Sequence, residues 1–336
     1  MSKMSVSLQD IAEKANVSKA TVSRVLNIKD DPHISEATKQ RVLRIAADLN
    51  YRPNVMARAL VTGKTNTVGV WTAHLHPSFY SNVIMQMQEV LQCSGYEALI
   101  VDTKNRPELH DFTKAGLHCW PVEGILSFEN PQFLDEAIRS GIINVPAVSL
   151  GVFATETVDS VTLDVRQASR EAVEYLIRSG RKRIAFMIPE SFGRTGDARY
   201  EAYCDVMADA GLSTQIISTR VLGSGTERKL AFQLMKEYVF KDGCPEAIFC
   251  INDEIAIGCH RALRDLSIAI PDDVAIIGCD GVEDTQYVDP PLSTIEHPVE
   301  EMCTVAWEFL QNRINNPNLP VQHAVLQSKF VIRGSS

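Results

Sequence analysis

No apolar stretch in the 336-residue sequence approaches the roughly 18 consecutive residues needed to span a bilayer, which excludes a transmembrane protein. A basic start followed by an apolar segment is missing too. Met1-Ser2-Lys3-Met4-Ser5 leads into polar sequence, so no secretory signal is expected. Cysteine is present but unpatterned. Cys93, Cys119, Cys204, Cys244, Cys250, Cys259, Cys279 and Cys303 include no Cys-x-x-Cys pair, and most sit inside apolar runs. That argues against a disulfide or metal framework and for buried thiols in a reducing cytoplasm. Catalytic signatures are lacking as well. Gly63-Lys64-Thr65 mimics the tail of a phosphate-binding loop, yet Arg58 fills the place of its first glycine. Gly223-Ser224-Gly225 lacks the spacing of a nucleophile elbow or a dinucleotide fingerprint. His74-Leu75-His76 has no acidic or cysteine partner near it in sequence. No enzyme, metal or cofactor is expected.

Charge, by contrast, is strongly patterned. The chain carries a net −9, but residues 1–66 hold 11 Lys/Arg against 6 Asp/Glu and are net +5, leaving −14 on the remainder. A small basic head on a large acidic body suits a polyanion-binding module joined to a unit that avoids polyanions. Ordinary local fluctuation of surface charge would look similar, so the pattern within the head has to decide.

That pattern reads as a helix-turn-helix. Ser7-Leu8-Gln9-Asp10 is close to a capping box, and Leu8, Ile11, Ala12 and Ala15 follow at helical spacing. Asn16-Val17 can turn the chain, and Ser18 then caps a second helix with Val22, Val25 and Leu26 on its apolar face. Asp31-Pro32 ends that section. Ser35 opens a third helix with Val42, Ile45, Ala46 and Leu49 as its stripe. Lys19, Ala20, Ser23 and Arg24 remain on the outer side of the second helix, which is of a size to enter a major groove. A three-helix protein-interaction domain fits the same periodicity.

The motifs themselves go further. Ser7-Leu8-Gln9-Asp10-Ile11-Ala12, the run Val17-Ser18-Lys19-Ala20-Thr21-Val22-Ser23-Arg24-Val25-Leu26-Asn27, and Leu49-Asn50-Tyr51-Arg52-Pro53-Asn54 resemble the head of the lactose/galactose repressor family. The resemblance continues through Ala57-Arg58-Ala59-Leu60 and along the body to Val331-Ile332-Arg333-Gly334. It implies DNA contacts from Ser18, Lys19, Ala20, Thr21, Ser23, Arg24, Asn27 and Tyr51. It also implies a hinge helix in which Leu60 wedges into the minor groove, flanked by Asn54, Ala57 and Arg58. Without the resemblance, Asn54 to Leu60 is just under two turns, too short to be stable alone, and reads as an interdomain linker.

From residue 67 onward β-rich runs alternate with helical stretches, starting at 68–71, 97–101, 124–127 and 147–150 and restarting after 160–163. Strand alternating with helix implies parallel sheets covered on both faces. The expected architecture is therefore α/β: a three-helix head (1–52), a hinge (53–66) and a two-lobed body (67–336). The resemblance implies doubly wound parallel sheets like those of periplasmic sugar-binding proteins. Lobe one is expected at about 67–163 and 293–323, and lobe two at about 164–292 and 324–333.

Ligands of open α/β sheets bind beyond the carboxyl ends of the strands. Asn252-Asp253 follows one strand, Asp280 closes another, and Arg199 stands at a helix start. The resemblance makes Asn252, Asp280 and Arg199 effector contacts, although each can instead be a helix cap, Asp253 above all. Phe79 and Tyr80 follow the first strand of the body, while Trp71 and His297 are placed at other crevice edges. Ala202 replaces a glycine usual in the family, Asp164-Val165-Arg166-Gln167-Ala168 keeps the usual aspartate but replaces the Asn and Gly that usually follow it, and Gly151 stands where sugar-binding members place an aspartate. The expected ligand class, a sugar or sugar acid, follows from a carboxylate and a guanidinium able to chelate neighbouring hydroxyls or an acidic group. The chain stops two residues after Gly334, without an added heptad helix, so a homodimer on a palindromic operator is expected. Two other classes stay open: a solute-binding protein, which would need export, and a DNA-binding head on a sugar-modifying enzyme.

Overall fold

The structure is a computed structural model. It describes residues 6–27, 33–51, 64–72, 75, 78–103, 121–128, 131–153, 155–190, 196–219 and 226–336. Two compact units divide between Thr65 and Asn66.

In the first unit each helix start is a side-chain cap. Asp10 N–H donates to Ser7 Oγ at 3.3 Å while Ser7 N–H donates to Asp10 Oδ2 at 2.8 Å, a complete capping box opening α1 (Leu8–Ala15). Asn16 closes that helix in the left-handed region at φ 51°, a conformation Asn tolerates. Ser18 Oγ accepts from Thr21 N–H at 3.0 Å ahead of α2 (Lys19–Asn27). Ser35 Oγ accepts from Thr38 N–H at 3.3 Å ahead of α3 (Glu36–Asp48). The three helices enclose Ile11, Ala12, Ala15, Val22, Val25, Val42 and Ala46.

The second unit holds two parallel sheets. In lobe one, β1 (Thr67–Thr72) lies between the edge strand β2 (Glu97–Asp102) and β3 (Gly124–Phe128), with β4 (Ala147–Gly151), β5 (Asp159–Asp164) and β11 (His323–Gln327) continuing the sheet beyond β3. Its faces alternate as a doubly covered sheet requires. Val68, Val70, Leu126 and Val148 pack under α4 (Ser78–Cys93) and α10 (Val299–Asn315), whereas Trp71, Ile125 and Ala147 pack under α5 (Pro131–Arg139). In lobe two, β6 (Ile184–Pro189) lies between β7 (Gln215–Thr219) and β8 (Ala247–Cys250), with β9 (Ala275–Ile277) beyond. Around it pack α6 (Arg166–Arg178), α7 (Ala198–Asp209), α8 (Glu227–Asp242) and α9 (Asp253–Asp265). Antiparallel β10 (Thr294–Glu296) and β12 (Lys329–Val331) extend this lobe through the bridges Ile277–Ser293 and Asp280–Glu296. Among the described residues no helix is long and apolar enough to cross a membrane.

The interlobe crossings correct the expected boundaries. β5 runs to Asp164, so the first crossing lies close to its expected place. The second, expected near 292, comes only after β10 has joined lobe two, at His297-Pro298. The third, expected near 324, comes after β11 has paired with β5, at Ser328. The chain end also belongs to lobe two, since Ile276 N–H donates to Ser335 O at 2.8 Å. Short strands flanking a crossing have no hydrophobic period of their own, which is why these boundaries were misplaced.

Candidate functional site

The head presents α2. Val22 and Val25 are buried against α1 and α3, while Lys19, Ala20 and Arg24 are exposed and Thr21 and Ser23 are half-buried. Ser18 is exposed, and its Oγ both caps the helix and lies 2.8 Å from Thr21 Oγ1. Asn27 ends the helix. Tyr51 is half-buried and packs on the head's core, its N–H donating to Ala46 O at 2.9 Å. An amphipathic helix with one buried stripe and a basic outer side has the shape and charge of a groove reader. The hinge positions Asn54, Ala57, Arg58 and Leu60 lie outside the described residues.

In the body, the carboxyl ends of β8 and β9, the start of α7 and the second crossing converge. Arg199 is 7% exposed and is held by Asp197, the N-cap of α7. Nε and Nη2 donate to the two Asp197 oxygens at 3.1 and 2.7 Å, and Nη1 donates to Ile251 O at 3.0 Å. Against the upward pull of burial, the Arg199 charge and hydrogen bonds hold the Asp197 carboxyl below its usual range. Asn252 is the N-cap of α9, its Oδ1 accepting from Ile255 N–H at 2.9 Å. The cap reading of Asn252 is thus realised, and the position also places the side chain at the end of β8.

Asp253 corrects its own expectation. Rather than capping α9, its fully buried carboxylate accepts from Val282 N–H at 2.9 Å and Thr294 Oγ1 at 2.7 Å. It thereby holds the loop that carries Asp280. Asp280 sits at φ 128°, a left-handed conformation that a non-glycine residue adopts only when its surroundings impose it. Burial pushes the carboxyls of both Asp253 and Asp280 upward; the Asp280 charge adds to the rise at Asp253, while at Asp280 the Arg199 charge opposes the rise and the Glu254 charge adds to it.

His297 occupies the second crossing. Its side chain is 1% exposed, with Nδ1 2.9 Å from Ser328 Oγ and Nε2 3.7 Å from Asp280 Oδ1. Burial, with the Arg199 charge beside it, lowers its pKa to about 3, so the ring is neutral at ordinary pH. Phe79, on α4 of lobe one, meets the His297 ring edge-on at 5.4 Å and the Tyr80 ring at 5.6 Å. Trp71 goes elsewhere. It is 2% exposed, lies 6.5 Å from the Phe133 ring and packs with Val101, Ile125 and Leu134 in the core under α5. On β1 it shares a face with Gly69, opposite Val68 and Val70, so strand alternation takes it away from the crevice edge assigned from sequence.

Several residues at this junction escaped the sequence. Ser78 Oγ, in lobe one, donates to Glu254 Oε1 of lobe two at 2.8 Å, and Arg228 Nη2 bonds the same oxygen at 2.9 Å and Asp284 Oδ2 at 2.5 Å. This contact ties the lobes together beside the cleft. Asp197 carried a readable signal, an aspartate just ahead of a helix. Ser78, Glu254, Arg228 and Cys279 did not, because their partners are distant in sequence.

An exposed basic recognition helix on one unit, and a two-lobed body with buried polar groups between its lobes on the other, define a ligand-binding DNA-reading regulator. Residues 7–54 match the bacterial regulatory proteins of the lacI family, and residues 173–336 match the periplasmic binding protein-like domain. "Probable HTH-type transcriptional repressor ExuR" of Bacillus subtilis (strain 168) is 30% identical over 98% of this chain and 98% of its own. A Lac repressor dimer bound to operator and the anti-inducer ONPF superposes with a TM-score of 0.83 at 23% identity, covering 98% of this chain and 99% of that one. A complex of the transcriptional regulator CelR with cellobiose superposes with a TM-score of 0.69 at 24% identity, covering 98% and 100%. The chain belongs to the LacI family of bacterial transcriptional regulators. It is a DNA-binding regulator with a ligand-binding body, not an enzyme.

Proposed function

We propose that the protein is a homodimeric, cytoplasmic repressor of carbohydrate-metabolism genes whose hold on a palindromic operator is set by a sugar or sugar acid in the interlobe cleft. The carrying observation is the cleft itself. Asp280 and Asn252 stand at the ends of adjacent strands of lobe two, and Phe79 faces them from lobe one across His297. A carboxylate and an amide accept from hydroxyl groups, and an aromatic ring covers the apolar face of a sugar. Dimer and operator are properties of the superposed Lac repressor complex and support the same assignment here.

In this reading, two heads place Lys19, Ala20 and Arg24 in successive major grooves, while Ser18, Thr21 and backbone amides hold phosphates. Paired hinges insert Leu60, flanked by Asn54, Ala57 and Arg58. A ligand closing the cleft alters how the lobes meet across the dimer and hence whether both hinges order. By linkage, a ligand that weakens DNA binding is itself bound more weakly by the DNA complex. The test is selection of the purified protein on random duplexes, followed by release assays with cellobiose, galactose, ribose and galacturonate. A symmetric, steeply salt-dependent site whose occupancy one of these sugars changes is the expected result. Enrichment of no site overturns the operator assignment, and a site indifferent to all four overturns the effector class.

A further inference from the structure

Cys279, Asp280 and His297 bring a thiol, a carboxylate and an imidazole nitrogen to one point, their donor atoms all within 4.8 Å of one another. His297 Nε2 is buried and lies 3.7 Å from Cys279 Sγ and 3.7 Å from Asp280 Oδ1. The oxygen separation is too long for an ordinary N–H···O hydrogen bond. It is close to the roughly 3.4–3.6 Å that separates ligand atoms around a tetrahedral zinc-class ion with bonds of about 2.0–2.3 Å. The ring is held in that orientation from behind, where Nδ1 meets Ser328 Oγ at 2.9 Å, the arrangement by which metal-binding histidines are commonly fixed. The loop bearing the other two ligands is held as firmly, through Asp253 to Val282 and Thr294 and through Asp280 N–H to Ile295 O at 2.9 Å.

We propose that Cys279, Asp280 and His297 form a binding site for a zinc-class divalent cation at the floor of the cleft. Thiolate, imidazole and carboxylate together select a borderline-soft ion over calcium or magnesium. Binding releases to solvent the protons that the thiol and the carboxyl hold, since a cation takes both ligands in their anionic forms. Arg199 stands beside Cys279 and Asp280, and its own charge is balanced by Asp197. Three protein ligands leave a fourth position for water or for an oxygen of the cleft ligand. No local ligand spacing marks the site in the sequence, because His297 lies far along the chain from Cys279-Asp280.

The site is testable without any sugar. Full-length protein washed with chelator is titrated with Co²⁺ and, separately, Zn²⁺. One equivalent of Co²⁺ is expected to give a thiolate-to-cobalt charge-transfer band, displaced by Zn²⁺. The band is expected to vanish in Cys279→Ser and persist in Cys93→Ser, which changes an exposed thiol. Ser328→Ala, which frees the ring without touching a ligand, is expected to weaken Zn²⁺ binding by roughly 10–100-fold. No band in the wild-type protein, or a band that survives Cys279→Ser, overturns the proposal. Sugar response of the chelator-washed protein is measured separately, so failure of the cation site and failure of the effector assignment give different results.

Discussion

The head and the body of this protein obey opposite rules for a functional side chain. In the head, Lys19, Ala20 and Arg24 are exposed on one helix, close together in sequence, and the fold needs little from them. In the body, Arg199, Asp280 and His297 are buried groups from three separated segments, each held by partners that the fold also needs. A surface meant for a large polyanion can leave its cations in water, whereas a cleft that must recognise a small molecule has to desolvate its charges and therefore pair them. Substitutions should accordingly separate function from stability in the head and confound them in the body.

The sharpest contrast comes from Arg199→Met. It leaves the carboxylate of Asp197, 2% exposed, without its cation. Breaking a buried pair on one side costs about 3–5 kcal/mol, so the body's denaturant midpoint is expected to fall steeply, with much of the loss recovered in Arg199→Met/Asp197→Asn. An unchanged midpoint would remove the distinction between the two units.

His297 gives a smaller effect that depends on pH. Its folded pKa lies below the unfolded value of about 6.5, so its neutral ring contributes stability above that pH, and the contribution is lost as pH falls toward 3. Between pH 7 and pH 5 the loss amounts to roughly 2 kcal/mol. In His297→Gln this part of the acid sensitivity should disappear, which paired unfolding curves at the two pH values would measure. Equal acid losses in the two proteins would place the titrating group elsewhere.

Arg24→Ala sits at the small end of the stability scale, within about 0.5 kcal/mol of wild type in thermal unfolding. The same substitution should cost roughly 1–3 kcal/mol in operator binding and relax preference at one base position. A uniform loss across all duplexes would instead make Arg24 a phosphate contact.

This contrast also explains what the sequence could show. The head was readable because its signals are local: the Ser7–Asp10 box, the Ser18 and Ser35 caps, and apolar stripes at helical spacing all act within a few residues. Alternating strands and helices revealed the α/β body for the same reason. The cleft was only partly readable. Arg199, Asn252 and Asp280 follow strand ends, a position that sequence can mark, but Cys279 looks like any cysteine in an apolar run until His297 arrives beside it. Trp71 shows the converse. Its place at a strand end suggested the crevice, and only the strand's alternation against Phe133 and Leu134 shows that it faces the core.

One measurement bears on the central claim most directly: affinity for the selected duplex in wild type, Arg24→Ala and Asp280→Asn, each with and without the sugar found to act on the wild-type complex. Asp280→Asn is expected to bind the duplex about as wild type does and to lose its response to the sugar. Arg24→Ala is expected to lose affinity for the preferred duplex while still binding the sugar by calorimetry. A sugar response that persists unchanged in Asp280→Asn, or unaltered sequence preference in Arg24→Ala, would contradict the division of labour between cleft and head.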